Sequence, residues 1–232
     1  MMSVAIQVWD LPLRIFHWLL ALAVVSAVIT GEIGGALIDW HGRIGVLILG
    51  LLIFRLIWGF VGTSHARFAH FFPTPAKIKA YLKGDWKGHG HNPLGAISVI
   101  ALLAVLATLV GAGLFANDDI AFEGPLFSLV SKTLSNKLSA IHAYGFNVLA
   151  ALVVLHIAAI VFYARVKKHN LVGPMVTGKK VVPKDQAVEV SKVGIRRFVV
   201  ALSISVFVAW GVESGLQYLS PAKPAPSVVQ NW

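Results

Sequence analysis

Four histidines, His17, His41, His142 and His156, stand in stretches of sequence that are otherwise almost wholly apolar. An imidazole in hydrocarbon needs partners for its ring nitrogens, so a polar side chain at such depth marks a site more often than a packing choice. A neutral imidazole offers one lone pair and one N–H, which suits it to hold a metal or to hand on a proton. The other five histidines, His65, His70, His89, His91 and His169, lie in or beside lysine- and arginine-rich stretches, where a solvated side chain is the plain reading. His142 and His156 are 14 residues apart. On a helix that spacing falls about 40° short of four turns and rises about 21 Å, so the two rings share one face at two levels.

The elements that must position these residues are membrane spans. Of the 232 residues 57% are hydrophobic and only 13% charged, far from the balance of a soluble domain. Five apolar stretches, near 12–31, 41–61, 93–116, 138–164 and 198–219, are each long enough to cross a bilayer. The fold class expected is an all-α integral membrane protein, with a four-helix transmembrane bundle and a fifth transmembrane helix that carries no histidine. Asn92 and Pro93 mark the start of the third stretch as cap and first helical position, and Asp39 offers a similar cap to the second. The first stretch follows Asp10 and Arg14 and precedes no small-residue cleavage site, so it reads as a retained helix rather than a signal peptide.

Charge sets the orientation. Loops 62–92 and 165–197 hold five and nine of the 20 Lys and Arg residues, against none in 31–40, two in 116–137 and one in 220–232. The positive-inside rule then places the amino terminus on the cytoplasmic side and the carboxyl terminus outside. The net charge of +10 sits at membrane edges on one side, which topology and anionic lipid explain without nucleic acid. The chain divides into a core at 1–164, a basic cytoplasmic connector at 165–197, the fifth helix at 198–219 and a Pro-rich periplasmic tail at 220–232.

With that topology the histidines match in depth. His17 enters at the inner level and pairs with His156; His41 starts at the outer level and pairs with His142. Two facing imidazoles at one depth, repeated about 20 Å away, are the geometry of two bis-histidine haems stacked across a bilayer. The chain has no cysteine, which excludes c-type attachment, so any redox cofactor must be held non-covalently or by other ligands. Gly42, Gly45, Ala143 and Gly145 beside the ligands would let a flat ring approach the backbone. Imidazole also suits zinc, copper and nickel, so a non-haem transition-metal transporter is an alternative. That reading asks for further carboxylates or thiolates in the spans, and Glu213 is the one carboxylate well inside them.

The ordered runs "VWDLPLRIFHWLLALAVVSAVITGE", "WHGRIGVLILGLLIFRLIWGFVGTSHARFAHF", "GHNPLGAISVIALL", "GAGLFANDD" and "LSAIHAYGFNVLAALVVLHIAAIVFY" resemble the bacterial dihaem cytochrome b561 family. That family includes the b-type cytochrome subunits of Ni/Fe hydrogenases and is similar to the membrane subunit of formate dehydrogenase. The resemblance covers about residues 8–178 and implies a multi-pass protein of the bacterial inner membrane in which His17, His41, His142 and His156 hold two non-covalent b haems. It also implies exchange of electrons with membrane quinone, in a pocket beside the inner haem that would bring in His91 and Asn92, although Asn92 reads equally as a plain helix cap.

Haem propionates are anionic, and Arg pairs with carboxylates through two parallel hydrogen bonds. Arg14 and Arg55 on the inner side and Arg43 on the outer side are the candidates, with topology and lipid phosphate as the plain alternative. Trp9, Trp18, Trp40, Trp58 and Trp86 read as an interfacial belt. The leading expectation is a dihaem electron carrier of a respiratory chain. It joins the quinone pool to a periplasmic redox protein, a c-type cytochrome or a dehydrogenase or hydrogenase subunit, and any enzymatic activity would be that of a quinone oxidoreductase. A homo-oligomer is compatible with this reading. A superoxide–quinone oxidoreductase acting alone is the other alternative; Arg43, Lys132 and Lys137 would steer the anion, against Asp118, Asp119 and Glu123 in the same outer loop.

Overall fold

A computed structural model of the chain describes residues 2–120, 122–187, 191 and 193–214. Strand β1 (Ser3–Gln7) leads into helix α1 (Leu11–Ile33). Asp10 caps α1 by accepting from Leu13 N–H at 2.7 Å, and Pro12 occupies the first turn, where a missing N–H costs nothing. The helix stops at Gly34, whose φ of 62° is open to glycine. One 3-10 turn at Gly35–Leu37 reverses the chain into α2 (Ile38–Val61). Asp39 does not cap α2 as expected: the helix begins one residue ahead of it, Leu37 is the cap, and Asp39 sits in the first turn.

The basic loop that follows holds the four-residue α3 (Phe68–Phe71) and α4 (Pro75–Lys83), the latter capped by Thr74 and ended at Gly84. Helix α5 (Pro93–Gly113) opens on Asn92, whose Oδ1 accepts from Gly95 N–H at 2.7 Å, as its sequence signature predicts. After the loop that follows α5, Ser131 caps α6 (Lys132–Arg165), which at 34 residues is about 51 Å long and outruns a hydrocarbon core of about 30 Å. The surplus is at its start, where Asn117 accepts from and donates to Lys132, Ser135, Asn136 and Ser139 and clips the loop to the helix. The connector contains α7 (Val172–Thr177) and β2 (Lys179–Pro183) before α8 (Ile195–Ser214). The expected fifth span ran to 219 and the Pro-rich tail from 220; residues 215–232 lie outside the described residues.

Helices α1, α2, α5, α6 and α8 are long and apolar enough to cross a membrane. Helix α1 packs on α2 and α5 on α6, while α2 also touches α5 and carries α8 on another side. Leu22, Val154, Leu155 and Phe207 are among the large apolar side chains left facing outward, as a bilayer solvent allows. The best-buried core lies at one end, where Phe54 stacks on Trp58 at 5.7 Å, Phe198 of α8 meets both edge-on, and Trp9, Leu13 and Phe16 close the cluster. The same end carries the two-stranded sheet. Strands β1 and β2 pair antiparallel with Ala5 opposite Val181, tying the chain start to the connector. The sheet has no counterpart in the expected architecture of spans and loops.

Candidate functional site

His41 stands in the first turn of α2 and His142 on α6, and their rings face one another with centroids 5.8 Å apart and planes at 83°. A metal–imidazole bond of about 2 Å on each side of one ion would place two ring centroids about 6 Å apart. Both rings are also oriented from behind. His41 Nδ1 lies 2.8 Å from the Ala27 carbonyl of α1, and His142 Nδ1 lies 2.8 Å from the Leu109 carbonyl of α5. A carbonyl only accepts, so each Nδ1 carries the proton and each Nε2 keeps its lone pair. This backing of an imidazole by a carbonyl is the usual support of a metal-binding histidine.

Each ring rests against a glycine one turn beyond the carbonyl that holds it. A Cβ on Gly31 would fall 2.9 Å from His41 Nδ1, and one on Gly113 would fall 3.0 Å from His142 Nδ1. Sequence reasoning pointed instead to glycines beside the histidines in the chain. Of those, Gly42 packs under Phe122 and Gly145 under Leu109, while a Cβ on Gly45 would meet nothing within 4 Å.

At the other end His17 of α1 and His156 of α6 are within electrostatic reach of one another. His17 meets the Trp18 ring edge-on at 5.0 Å, and its Nδ1 is buried without a hydrogen-bond partner among the described residues. His91, just before α5, lies between Trp9 at 4.5 Å and Phe71 at 4.9 Å. Its pKa is pushed down to about 3 by burial, helped by Arg55, His17, His65 and His156, so it stands neutral near His17 and His156. His65 is lowered too, by burial and then by His89 and His70.

Arg55 is only 2% exposed. Its guanidinium lies over Phe68 at 4.5 Å, and both terminal nitrogens are buried without a partner among the described residues. The same holds for Arg14 Nε, Arg67 Nε, His65 Nε2 and His91 Nδ1. Asp10 is the nearby counter-charge. Its carboxylate is already occupied, accepting from Leu13 N–H, from Trp58 Nε1 at 3.0 Å and from Thr63 Oγ1 at 2.6 Å. The unsatisfied donors of Arg55 fit an anionic group carried in by a ligand, while Arg14 also donates from Nη1 to the Val176 carbonyl.

Two expected residues are engaged otherwise. Arg43 is not brought to the His41–His142 pair. Two residues from His41, it turns about 200° round the helix, into a groove of roughly 480 Å³ between α1, α2 and α8 that Trp210 and Glu213 also line, and it stacks on Trp40 at 5.3 Å. Asn92 has both ends of its amide in use, since Oδ1 caps α5 and Nδ2 donates to Tyr163 Oη at 2.9 Å. Tyr163 in turn meets Tyr81 of α4, whose pKa is pushed up to about 12 by burial and by that contact. Sequence reasoning missed Gly31, Gly113, Arg67 and the carbonyls of Ala27 and Leu109. Among the described residues no group of three or more His, Cys, Asp or Glu side chains is placed to hold a metal ion, and the His41–His142 pair offers two imidazoles, a donor set that suits haem iron with its four porphyrin nitrogens.

The family model of prokaryotic cytochrome b561 matches residues 8–178. The chain belongs to the prokaryotic cytochrome b561 family. It is a membrane protein and an electron carrier of the b type, and the family implies b-type haem. Among its relatives, a "Probable Ni/Fe-hydrogenase B-type cytochrome subunit" of Azotobacter vinelandii is 28% identical over 221 residues, covering 78% of this chain and 91% of that one. The protein of the same description from Rhodobacter capsulatus is 25% identical over 220 residues, covering 78% and 84%. A "Probable Ni/Fe-hydrogenase 1 B-type cytochrome subunit" of Escherichia coli K12 is 23% identical over 145 residues, covering 48% and 61%. No solved structure matches the chain.

Proposed function

We propose that this cytochrome b561 family member carries electrons across the bacterial inner membrane through two b haems, one held by His17 and His156 and one by His41 and His142. The observation that carries the reading is the outer pair: two imidazoles 5.8 Å apart, each with Nδ1–H tied to a carbonyl and Nε2 left as a donor. When bound, haem supplies one-electron redox chemistry in a low-dielectric setting. The chain's own part is to orient the four rings, to keep them neutral, and to offer Arg55, Arg14 and Arg67 to the carboxylates of the inner group.

The inner end exchanges electrons with quinone. His91 is the better candidate to touch it, because its Nδ1 is buried with no partner among the described residues while the Asn92 amide is fully committed. The outer end meets a periplasmic redox protein; two relatives named as Ni/Fe-hydrogenase subunits over most of their length make a hydrogenase the first partner to test. The sheet, the α3–α4 loop and the connector then face the cytoplasm, in keeping with the 14 Lys and Arg residues in loops 62–92 and 165–197. Superoxide chemistry draws less support, since Lys132 is paired with Asp119 and Arg43 is turned toward α8.

The test is reduction of the purified protein in lipid vesicles by a quinol. Quinol-dependent growth of b-type absorbance, slowed severalfold by His91→Phe and unchanged by Asn92→Ala, is expected. Absorbance that a quinol never reduces, although dithionite does, would contradict the quinone assignment.

A further inference from the structure

Helix α8 lies beyond residues 8–178, the part of the chain that the family model matches, and it packs chiefly on α2. That join is close: a Cβ on Gly50 would fall 3.3 Å from the Ala209 Cβ and 3.6 Å from the Ser205 carbonyl. Toward α1 the same helix leaves the groove of roughly 480 Å³. Its walls are apolar, with Ile15, Leu47 and Leu202 on three different helices and Phe54 and Phe198 toward the far end. The Ser205 hydroxyl in the lining is committed, donating to the Ala201 carbonyl at 2.7 Å. Charge enters at one end only, through Arg43 and Glu213. We propose that this groove binds a phospholipid of the phosphatidylethanolamine type, with one acyl chain along α8 and the headgroup between Arg43 and Glu213.

Length, depth and charge each select this ligand. Arg43 and Phe54 are 11 residues apart on α2, about 16 Å, and Phe198 and Glu213 are 15 residues apart on α8, about 22 Å. One leaflet of a hydrocarbon core of about 30 Å is about 15 Å deep, so an acyl chain entering at the charged end runs the length of the groove. Trp40 and Trp210, 55% and 62% exposed, stand at the same end, and indoles so placed mark the level of the headgroups. Arg43 stacks on Trp40, but neither Arg43 nor Glu213 makes a hydrogen bond or an ion pair among the described residues. A guanidinium meets a phosphate through two parallel hydrogen bonds, and a carboxylate accepts from a primary ammonium. The two side chains therefore match both charges of one zwitterionic head. Phosphatidylglycerol offers the phosphate alone and sets it near Glu213 with no cation between them. Phosphatidylcholine brings a cation that has no N–H to donate, and a quinone leaves the Glu213 carboxylate without a partner. The site needs the chain to lie in a membrane and nothing of its redox chemistry.

Native mass spectrometry of the full chain in mild detergent tests the proposal, after bound lipid is stripped and phosphatidylethanolamine, phosphatidylcholine, phosphatidylglycerol or ubiquinone is added. One phosphatidylethanolamine per chain is expected, retained severalfold better than the other three. Glu213→Gln should remove most of the preference over phosphatidylglycerol. Arg43→Gln should cut retention of every phospholipid severalfold, with Arg43→Lys recovering part of it. Leu47→Trp, which fills the groove from a position 45% exposed, should cut retention without altering either charge. Phosphatidylglycerol or ubiquinone held as well as phosphatidylethanolamine, a dimer that carries no lipid, or variants that retain lipid as the wild type does would overturn the proposal. Size-exclusion chromatography first checks that each variant elutes as the wild type does; should Arg43→Gln or Glu213→Gln fail, the headgroup comparison on wild type and Leu47→Trp decide by the same criteria.

Discussion

Which nitrogen of a ring carries its proton decides what the ring can hold, and at His41 and His142 the carbonyls of Ala27 and Leu109 make that choice. Gly31 and Gly113 leave the space in which the choice is possible. A leucine at either position should push the ring away and cost one of two haems, so that haem content falls by about half while the remaining b spectrum persists; haem-to-protein ratios on Gly31→Leu and Gly113→Leu check this. The four histidines stood out in sequence because polar residues are rare in apolar runs. Their glycines were not, because each lies on a different helix from the histidine it supports and a contact between helices leaves no local spacing. Arg43 failed for a related reason: nearness to His41 along the chain became opposite faces on the helix. His91 gives a pH signature. In the unfolded chain it titrates near 6.5, whereas in the fold it stays neutral down to about 3. As pH falls between those values the unfolded state takes up a proton that the folded state refuses, so stability is lost with acid in that window and unaffected above it. Thermal melts of His91→Gln in detergent should therefore fall less steeply with acid than those of wild type; identical slopes would contradict the burial of this ring.

Helix existence and type followed from apolar length, and the capping chemistry at Asn92 and Pro93 marked one boundary to the residue. Other boundaries drifted where hydropathy was the sole guide. Helix α6 starts six residues earlier than its apolar run because Lys132, Ser135, Asn136 and Lys137 remain helical ahead of that run, the first three held by Asn117. Strand β1 was invisible because "SVAIQ" is short and its partner lies more than 170 residues away, in the middle of the connector. The most consequential element boundary is Asp10, which caps α1 and also receives Trp58 and Thr63 from the end of α2. Asp10→Ala removes a cap worth about 1 kcal/mol and strands buried donors at about 1–3 kcal/mol each. A loss of about 3 kcal/mol in denaturant or thermal unfolding is expected, with Asp10→Asn recovering part of it; a change below about 0.5 kcal/mol would contradict the shared-cap account.

At the scale of the whole molecule, the sheet, the α3–α4 loop and the basic connector gather at the end of His17 and His156, and the Asn117-clipped loop stands at the end of His41 and His142. Reporter fusions read this polarity directly: alkaline phosphatase joined after Asp119 should be active and the same enzyme joined after Lys87 inactive, with the reverse pattern contradicting the orientation. Partner identity lies beyond the spacing of residues, since a docking face depends on a second molecule's surface; names carried by relatives supply a candidate and no more. The central claim, two b haems on two histidine pairs, is tested most directly by a reduced-minus-oxidised visible spectrum with haem counted per chain, on wild type, His142→Ala and His156→Ala. Two low-spin b haems in the wild type and one in each variant are expected, with a different one lost in each. A single haem in the wild type, or both variants keeping the full count, would contradict the account.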